Sequence, residues 1–310
     1  MVAVRGTTLL GSTLLPGSTL LPVELLEKLE RMQLQNRRSL VGRMQGAHRS
    51  PQRGTSLDFA DYRPYAAGDD VRRIDEHVFA RLDVLALKLF DSEDDLTIRL
   101  VVDTSASMGF GSKLRFATQL AAALGFVGLV HRDTVRVHTL ADLVVRQGES
   151  GSTRRFVGRG KAQELFRVLE GFQAQGTTPL AAGLRRLLNV PGPPGLTIVF
   201  SDLLTDEWVQ ALRRLPPGNG SALLVHVLSE EELASTLVGD YELRDVETQR
   251  DVMVSLDIQT LERYRKYVAD WCEQVESRCR VGRIGYVRAI VEQPIENVVR
   301  SILFGVRAST

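Results

Sequence analysis

The residues best placed for chemistry lie in Asp103-Thr104-Ser105-Ala106-Ser107, where oxygen-bearing side chains recur at every second position directly after the apolar run Leu96–Val102. In an extended turn that spacing presents Asp103, Ser105 and Ser107 to one side. Two further loops carry the same donors. Gly176-Thr177-Thr178-Pro179 puts a hydroxyl just ahead of a helix start, and Ser201-Asp202 leaves the apolar run Leu196–Phe200. Carboxylates and hydroxyls are hard oxygen donors, suited to Mg2+, Mn2+ or Ca2+ rather than zinc. With few carboxylates among neutral hydroxyls, such a cation is under-neutralised and keeps positions open for water or an incoming ligand. A carboxylate from another chain would supply both charge and oxygen. The pattern therefore favours gripping an acidic residue of a partner over chemistry on a substrate. Asp-x-Ser-x-Ser alone is weak, because Asp and Ser crowd any strand-to-helix turn as caps. Three such loops in order are hard to obtain by chance.

The enzyme patterns that share these residue types fit less well. A phosphoryl-accepting Asp103 would want a second Asp two residues on, where Ser105 stands. No Gly-x4-Gly-Lys-Ser/Thr loop exists, so the chain is not expected to be an ATPase. Ser105 or Ser107 as nucleophile would need a base, and none is evident. None of the five histidines, 48, 77, 131, 138 and 226, has a His or Cys at zinc-ligand spacing. His138 and His226 fall inside predicted strands and are expected to be satisfied core groups. The reading is no enzyme, with a metal-dependent hydrolase at the same site and a metal-free scaffold as the alternatives.

These loops need a scaffold, and from Leu96 onward the pattern supplies one. Apolar strands (96–102, 134–140, 196–200, 222–228) alternate with helices (113–130, 161–170, 180–188, 207–215), with short strands predicted over 142–157 around a Gly148–Gly151 turn. Continuous apolar runs alternating with helices predict a doubly wound, mostly parallel sheet covered on both faces. In such sheets ligands bind beyond the carboxyl ends of the strands. A strand at 252–256, a long helix at 258–280, a strand at 285–291 and a helix at 295–304 extend the same α/β theme. The organisation read from this is an arm and amphipathic helix (1–38), a small β-rich elaboration (39–95) with a strand at 84–90, the α/β domain (96–229), and a C-terminal extension on the same sheet (230–310).

Thirty-nine basic against 38 acidic residues give no global field that would favour nucleic acid or an anionic membrane. The charge-dense stretch Arg63–Arg81 nearly balances in sign and reads as an internal ion-pair network, with a partner surface as the alternative. Cys272 and Cys279 stand seven residues apart on one predicted helix, about 10 Å of rise and too far for a disulfide. A reduced compartment follows. The longest apolar run, Leu120–Val130, is far short of the roughly 20 residues of a membrane span. The Gly-Ser-Thr-Leu-Leu-Pro repeat at 11–16 and 17–22 is broken by Gly and Pro. A cytoplasmic protein without an integral membrane segment and without nucleic-acid partners is expected.

Residues 96–229 resemble a von Willebrand factor A-type domain with its metal-ion-dependent adhesion site, a Rossmann-like α/β fold. The resemblance rests on the three loops and implies Ser105, Ser107 and Thr178 as direct metal ligands, with Asp103 and Asp202 acting partly through water. Thr178, directly before Pro179-Leu180, fits better than Thr177, and the choice stays open. From about residue 40 onward the chain resembles the bacterial domain of unknown function 58. The resemblance is carried by Tyr65-Ala66-Ala67-Gly68-Asp69-Asp70-Val71-Arg72-Arg73-Ile74-Asp75, by Ala80-Arg81, and by the Asp-x-Ser-x-Ser-Met loop. It implies a partner of the MoxR-type AAA+ ATPase class, or that ATPase's client. Glu76 departs from the Trp usual in that family.

Overall fold

The computed structural model describes residues 20–33, 59–65, 74–90, 96–145, 154–177, 180–188, 195–215, 221–244 and 251–304. The N-terminal arm before Leu20, the Gly148–Gly151 turn, Gly68–Arg73 of the charge-dense stretch, and Thr178-Pro179 lie outside them. The chain divides into two compact units, residues 47–95 and the remainder. The small unit holds an antiparallel pair, β1 (Phe59–Pro64) with β2 (Ala86–Phe90), and the helix α2 (Glu76–Leu82). Asp75 caps α2, its Oδ1 accepting the His77 and Val78 amides at 2.9 and 3.4 Å. That cap is a local structural use for one acid of the charge-dense stretch.

In the larger unit, α1 (Val23–Gln33) precedes the core. There follow β3 (Thr97–Val102), α3 (Lys113–Val130), β4 (Thr134–Thr139), α4 (Leu140–Val145), β5 (Arg155–Val157), α5 (Ala162–Glu170), α6 (Leu180–Leu188), β6 (Gly195–Ser201), α7 (Trp208–Arg214) and β7 (Ser221–Leu228). The tail adds α8 (Glu230–Leu233), the hairpin strands β8 (Gly239–Arg244) and β9 (Asp251–Leu256), α9 (Ile258–Val281), β10 (Gly285–Ile290) and α10 (Ile295–Phe304). The six-stranded sheet runs β10-β7-β6-β3-β4-β5, parallel except where β5 meets β4. From β3 the chain winds outward through β4 on one side and, later, through β6, β7 and β10 on the other. The order therefore reverses between β3 and β6, which opens a crevice at their carboxyl ends.

Both faces are covered, and the strands are buried because of it. Ile98, Leu100 and Val102 pack with α3, α1, α5 and α10 on one face, while Val101, Val199 and Leu224 pack with α6, α7 and α9 on the other. Helix α3 sits close to the sheet because Gly125 and Gly128 face it. A Cβ at Gly128 would stand 2.6 Å from Ile98 Cδ1. At the start of β6, a Cβ on Gly195 would meet the Thr97 carbonyl at 2.0 Å, so only glycine lets β6 pair with β3 there.

Most elements match the sequence reading, and three do not. Residues 140–145 form a helix where a strand was predicted. The β8–β9 hairpin includes a strand at 239–244 that no strong apolar run announces, because both strands are largely exposed. The third is Ala106–Ser112, a 3-10 turn broken at Phe110 and Gly111 that extends the stretch Ala106–Val130 ahead of α3, while α3 itself matches the predicted helix 113–130. By length and composition this stretch could cross a membrane, yet 83% of its apolar window is buried within the fold, as a core helix would be. Cys272 and Cys279 are buried free thiols on α9, and burial pushes the Cys279 thiol up to about 12.

Candidate functional site

The loops that the sequence singled out meet where the strand order reverses. Asp103 and Asp202 follow the adjacent strands β3 and β6, and the Asp103 amide donates to Phe200 O at 2.9 Å, carrying the pairing one step beyond β3. The second loop is tied to the first by two backbone hydrogen bonds, Ala106 N to Gly176 O and Gln175 N to Thr104 O, both 2.9 Å. Asp103, Ser105, Ser107 and Asp202 are all buried, and Thr177 is exposed. Thr178 lies outside the described residues.

The hydrogen bonds are dense. Ser105 Oγ and Ser107 Oγ lie 3.1 Å apart. Asp103 Oδ1 accepts the Ser105 amide at 2.9 Å, and Asp103 Oδ2 accepts the Ser201 hydroxyl at 2.7 Å. Asp202 Oδ1 accepts the Leu204 amide at 3.2 Å. Each of the four carboxylate oxygens thus has a donor from the chain, and the fourth donor is a cation. Lys113 Nζ, on a fully buried side chain, lies 2.7 Å from Asp202 Oδ2 and 2.5 Å from Glu232 Oε1. Burial, and secondarily the neighbouring Asp202 charge, raise the Asp103 carboxyl above the ordinary carboxylate range. Among the described residues, none brings a cation to Asp103.

A second layer holds Asp202 from behind. His226 on β7 is fully buried, with Nε2 3.1 Å from the Asp202 carbonyl and Nδ1 3.0 Å from Tyr286 Oη on β10. Burial above all lowers its pKa to about 4, so the ring is neutral near pH 7. A carbonyl only accepts, so Nε2 carries the proton and Nδ1 accepts from the Tyr286 hydroxyl. Trp271 on α9 meets the imidazole edge-on at 5.0 Å. Leu203, next to Asp202, has φ 55, a left-handed conformation that leucine rarely adopts. Such strain persists only where surrounding contacts enforce it.

The donor set fits a hard divalent cation. The 3.1 Å between the two serine hydroxyls matches the separation of about 3 Å between neighbouring oxygens of an octahedral Mg2+ with bonds of about 2.1 Å. Asp103 and Asp202 are the carboxylates at this point, and Lys113 bridges Asp202 to Glu232. No group of three or more His, Cys, Asp or Glu is placed to hold a metal among the described residues. Any cation here would draw on hydroxyls as well.

The sequence reading missed Lys113, Glu232, Ser201 as a donor to Asp103, and His226 as a support. One signal was available, since Ser229-x-x-Glu232 spells a capping box, and the structure forms it at α8. Nothing in a lysine that opens an Ala- and Leu-rich helix marks it as buried.

Residues 61–274 match the family described as "Protein of unknown function DUF58", and the chain belongs to that family. The uncharacterized proteins Rv1480 of Mycobacterium tuberculosis and Mb1516 of Mycobacterium bovis are each 27% identical over 220 residues, covering 68% of this chain and 68% of theirs. Among solved structures, the conserved hypothetical protein BatB from Bacteroides thetaiotaomicron aligns with a TM-score of 0.39 at 16% identity, over 67% of this chain and 97% of that one. An aerotolerance-related membrane protein from Bacteroides fragilis aligns with a TM-score of 0.38 at 14% identity, over 67% and 96%. Ala106–Val130 is long and apolar enough to cross a membrane by length and composition, where the sequence reading counted only 11 residues, so the expectation of no integral membrane segment is withdrawn.

Proposed function

We propose that the chain is a non-enzymatic adaptor with a von Willebrand factor A-type site. In this reading Asp103, Ser105, Ser107, Thr178 and Asp202 hold a divalent cation of the Mg2+ type, and an acidic residue of a partner protein completes it. When bound, the cation supplies a Lewis-acidic position for an oxygen ligand. The observation that carries the reading is the buried pair Asp103 and Asp202 at the reversal of strand order, with the Ser105 and Ser107 hydroxyls 3.1 Å apart in the loop that Asp103 opens and no cation on Asp103 among the described residues. The donors already on all four carboxylate oxygens support a partly indirect role for both aspartates. They leave the cation dependent on neutral hydroxyls and receptive to a further carboxylate. A MoxR-type AAA+ ATPase, or its client, is the partner class that the family resemblance suggests.

The test is affinity purification on the immobilised full chain. Partner retention in Mg2+ that is lost with EDTA, and lost again with Asp103→Ala, supports the reading. Retention indifferent to both treatments contradicts it.

A further inference from the structure

Lys113 sits where a lysine gains least. It occupies the first position of α3, at the positive end of the helix dipole, and its side chain is fully buried. The residue before it, Ser112, takes the left-handed φ of 63 and offers no side-chain cap. Burying an ammonium is costly, and a buried ion pair is often no more stable than apolar residues of the same volume. Stability of the core is therefore no reason to prefer a lysine over an apolar residue of the same volume here.

Its contacts suggest what does. One contact is Asp202 Oδ2, an oxygen of the carboxylate assigned above to the divalent cation. The other is Glu232, whose second oxygen is held by the Ser229 amide at 2.9 Å and the Ser229 hydroxyl at 3.2 Å. Tyr264 on α9 donates to the Glu232 carbonyl at 2.7 Å, so the turn carrying this acceptor is fixed from both sides. The ammonium is thus shared between one carboxylate of the candidate site and one carboxylate outside the three loops.

Resting on the reading under Proposed function, we infer that Lys113 is the built-in competitor of the divalent cation. It neutralises Asp202 when the site holds none, and it withdraws onto Glu232 when Asp202 is given up. Both states keep the ammonium paired, so the exchange needs no protonation change and no unpaired buried charge. Lys113 sets the cation concentration at which the site fills, and Glu232 tunes it by offering the alternative berth.

Calorimetric titration of the full chain with Mg2+ tests this, using two variants that act in opposite directions. Lys113→Met keeps length and removes the charge, and it is expected to tighten Mg2+ by about 5-fold or more, within the usual range of coupling between linked equilibria. Glu232→Gln leaves Lys113 with Asp202 as its one anionic partner among the described residues and is expected to weaken Mg2+. Since Lys113→Met lies in the core, Glu232→Gln, which is partly exposed, decides alone should the first fail to fold. Binding by wild type, with neither variant shifted in its expected direction, overturns the competition and leaves the metal reading standing. Binding by Lys113→Met but not by wild type supports the competition in its strongest form. Absence of binding in every folded chain sinks the metal reading and this inference together.

Discussion

Two parts of the same sheet bury polar groups in opposite ways. At the tips of β3, β6 and β7, Asp103, Ser201, Asp202 and His226 are hydrogen-bonded to one another, and Asp202 and His226 accept from Lys113 and Tyr286. On β4, by contrast, His138 Nε2 and Arg136 Nε are buried with no hydrogen-bond partner among the described residues. Arg136 also pairs in register with Arg99 on β3, one guanidinium beside another. Both histidines are nonetheless pulled down to about pH 4, in each case by burial first. Burial alone is enough to keep an imidazole neutral. What separates the two regions is that one is held together by its polar groups and the other only tolerates them. The expectation that both histidines are satisfied core groups holds for His226 and fails at Nε2 of His138.

The comparison can be broken by removing members of each region in turn. The largest effect is expected for Lys113→Ala, which strips Asp202 of its buried cation and should cost about 3–5 kcal/mol in a denaturant titration. Next comes acid. An unfolded histidine takes up its proton near pH 6.5, but folded His138 waits until about 4, so between these values the unfolded state binds more protons. Arg136 and Arg99 reinforce that depression and Asp142 opposes it. Stability from this residue is therefore full above pH 6.5 and falls through the window toward pH 4, by up to about 3 kcal/mol. Urea unfolding of wild type and His138→Leu at pH 7 and pH 4.5 checks this, with the variant losing less on acidification. A smaller loss, about 1–3 kcal/mol, is expected for His226→Phe, which leaves the Asp202 carbonyl and the Tyr286 hydroxyl without their partner. The smallest belongs to His138→Leu at pH 7, where Nε2 gives up no hydrogen bond. A change within about 1 kcal/mol is predicted, and a loss as large as that of His226→Phe would erase the contrast.

The asymmetry also explains what could be read from sequence. Strands buried on both faces, such as β3, β6 and β7, announce themselves as apolar runs, so the placement of Asp103, Ser105, Ser107 and Asp202 in the loops that leave β3 and β6 was legible. The ribbon β8–β9 was only half legible, because exposed strands need no apolar pattern. Residues 140–145 read as strand because six residues are too few to show a helical period. Lys113 and His226 were not legible as parts of the site. Their roles depend on partners 89 and 60 positions away in the chain, Asp202 and Tyr286, brought close only by the crossing of β6, β7 and β10.

Titration of the purified chain with Mg2+, wild type against Asp103→Ala, measures the central claim most directly. The account predicts saturable binding by wild type and an affinity lower by roughly 10- to 100-fold in the variant, the usual cost of losing an outer metal-site carboxylate. Indistinguishable titrations of the two proteins would contradict it.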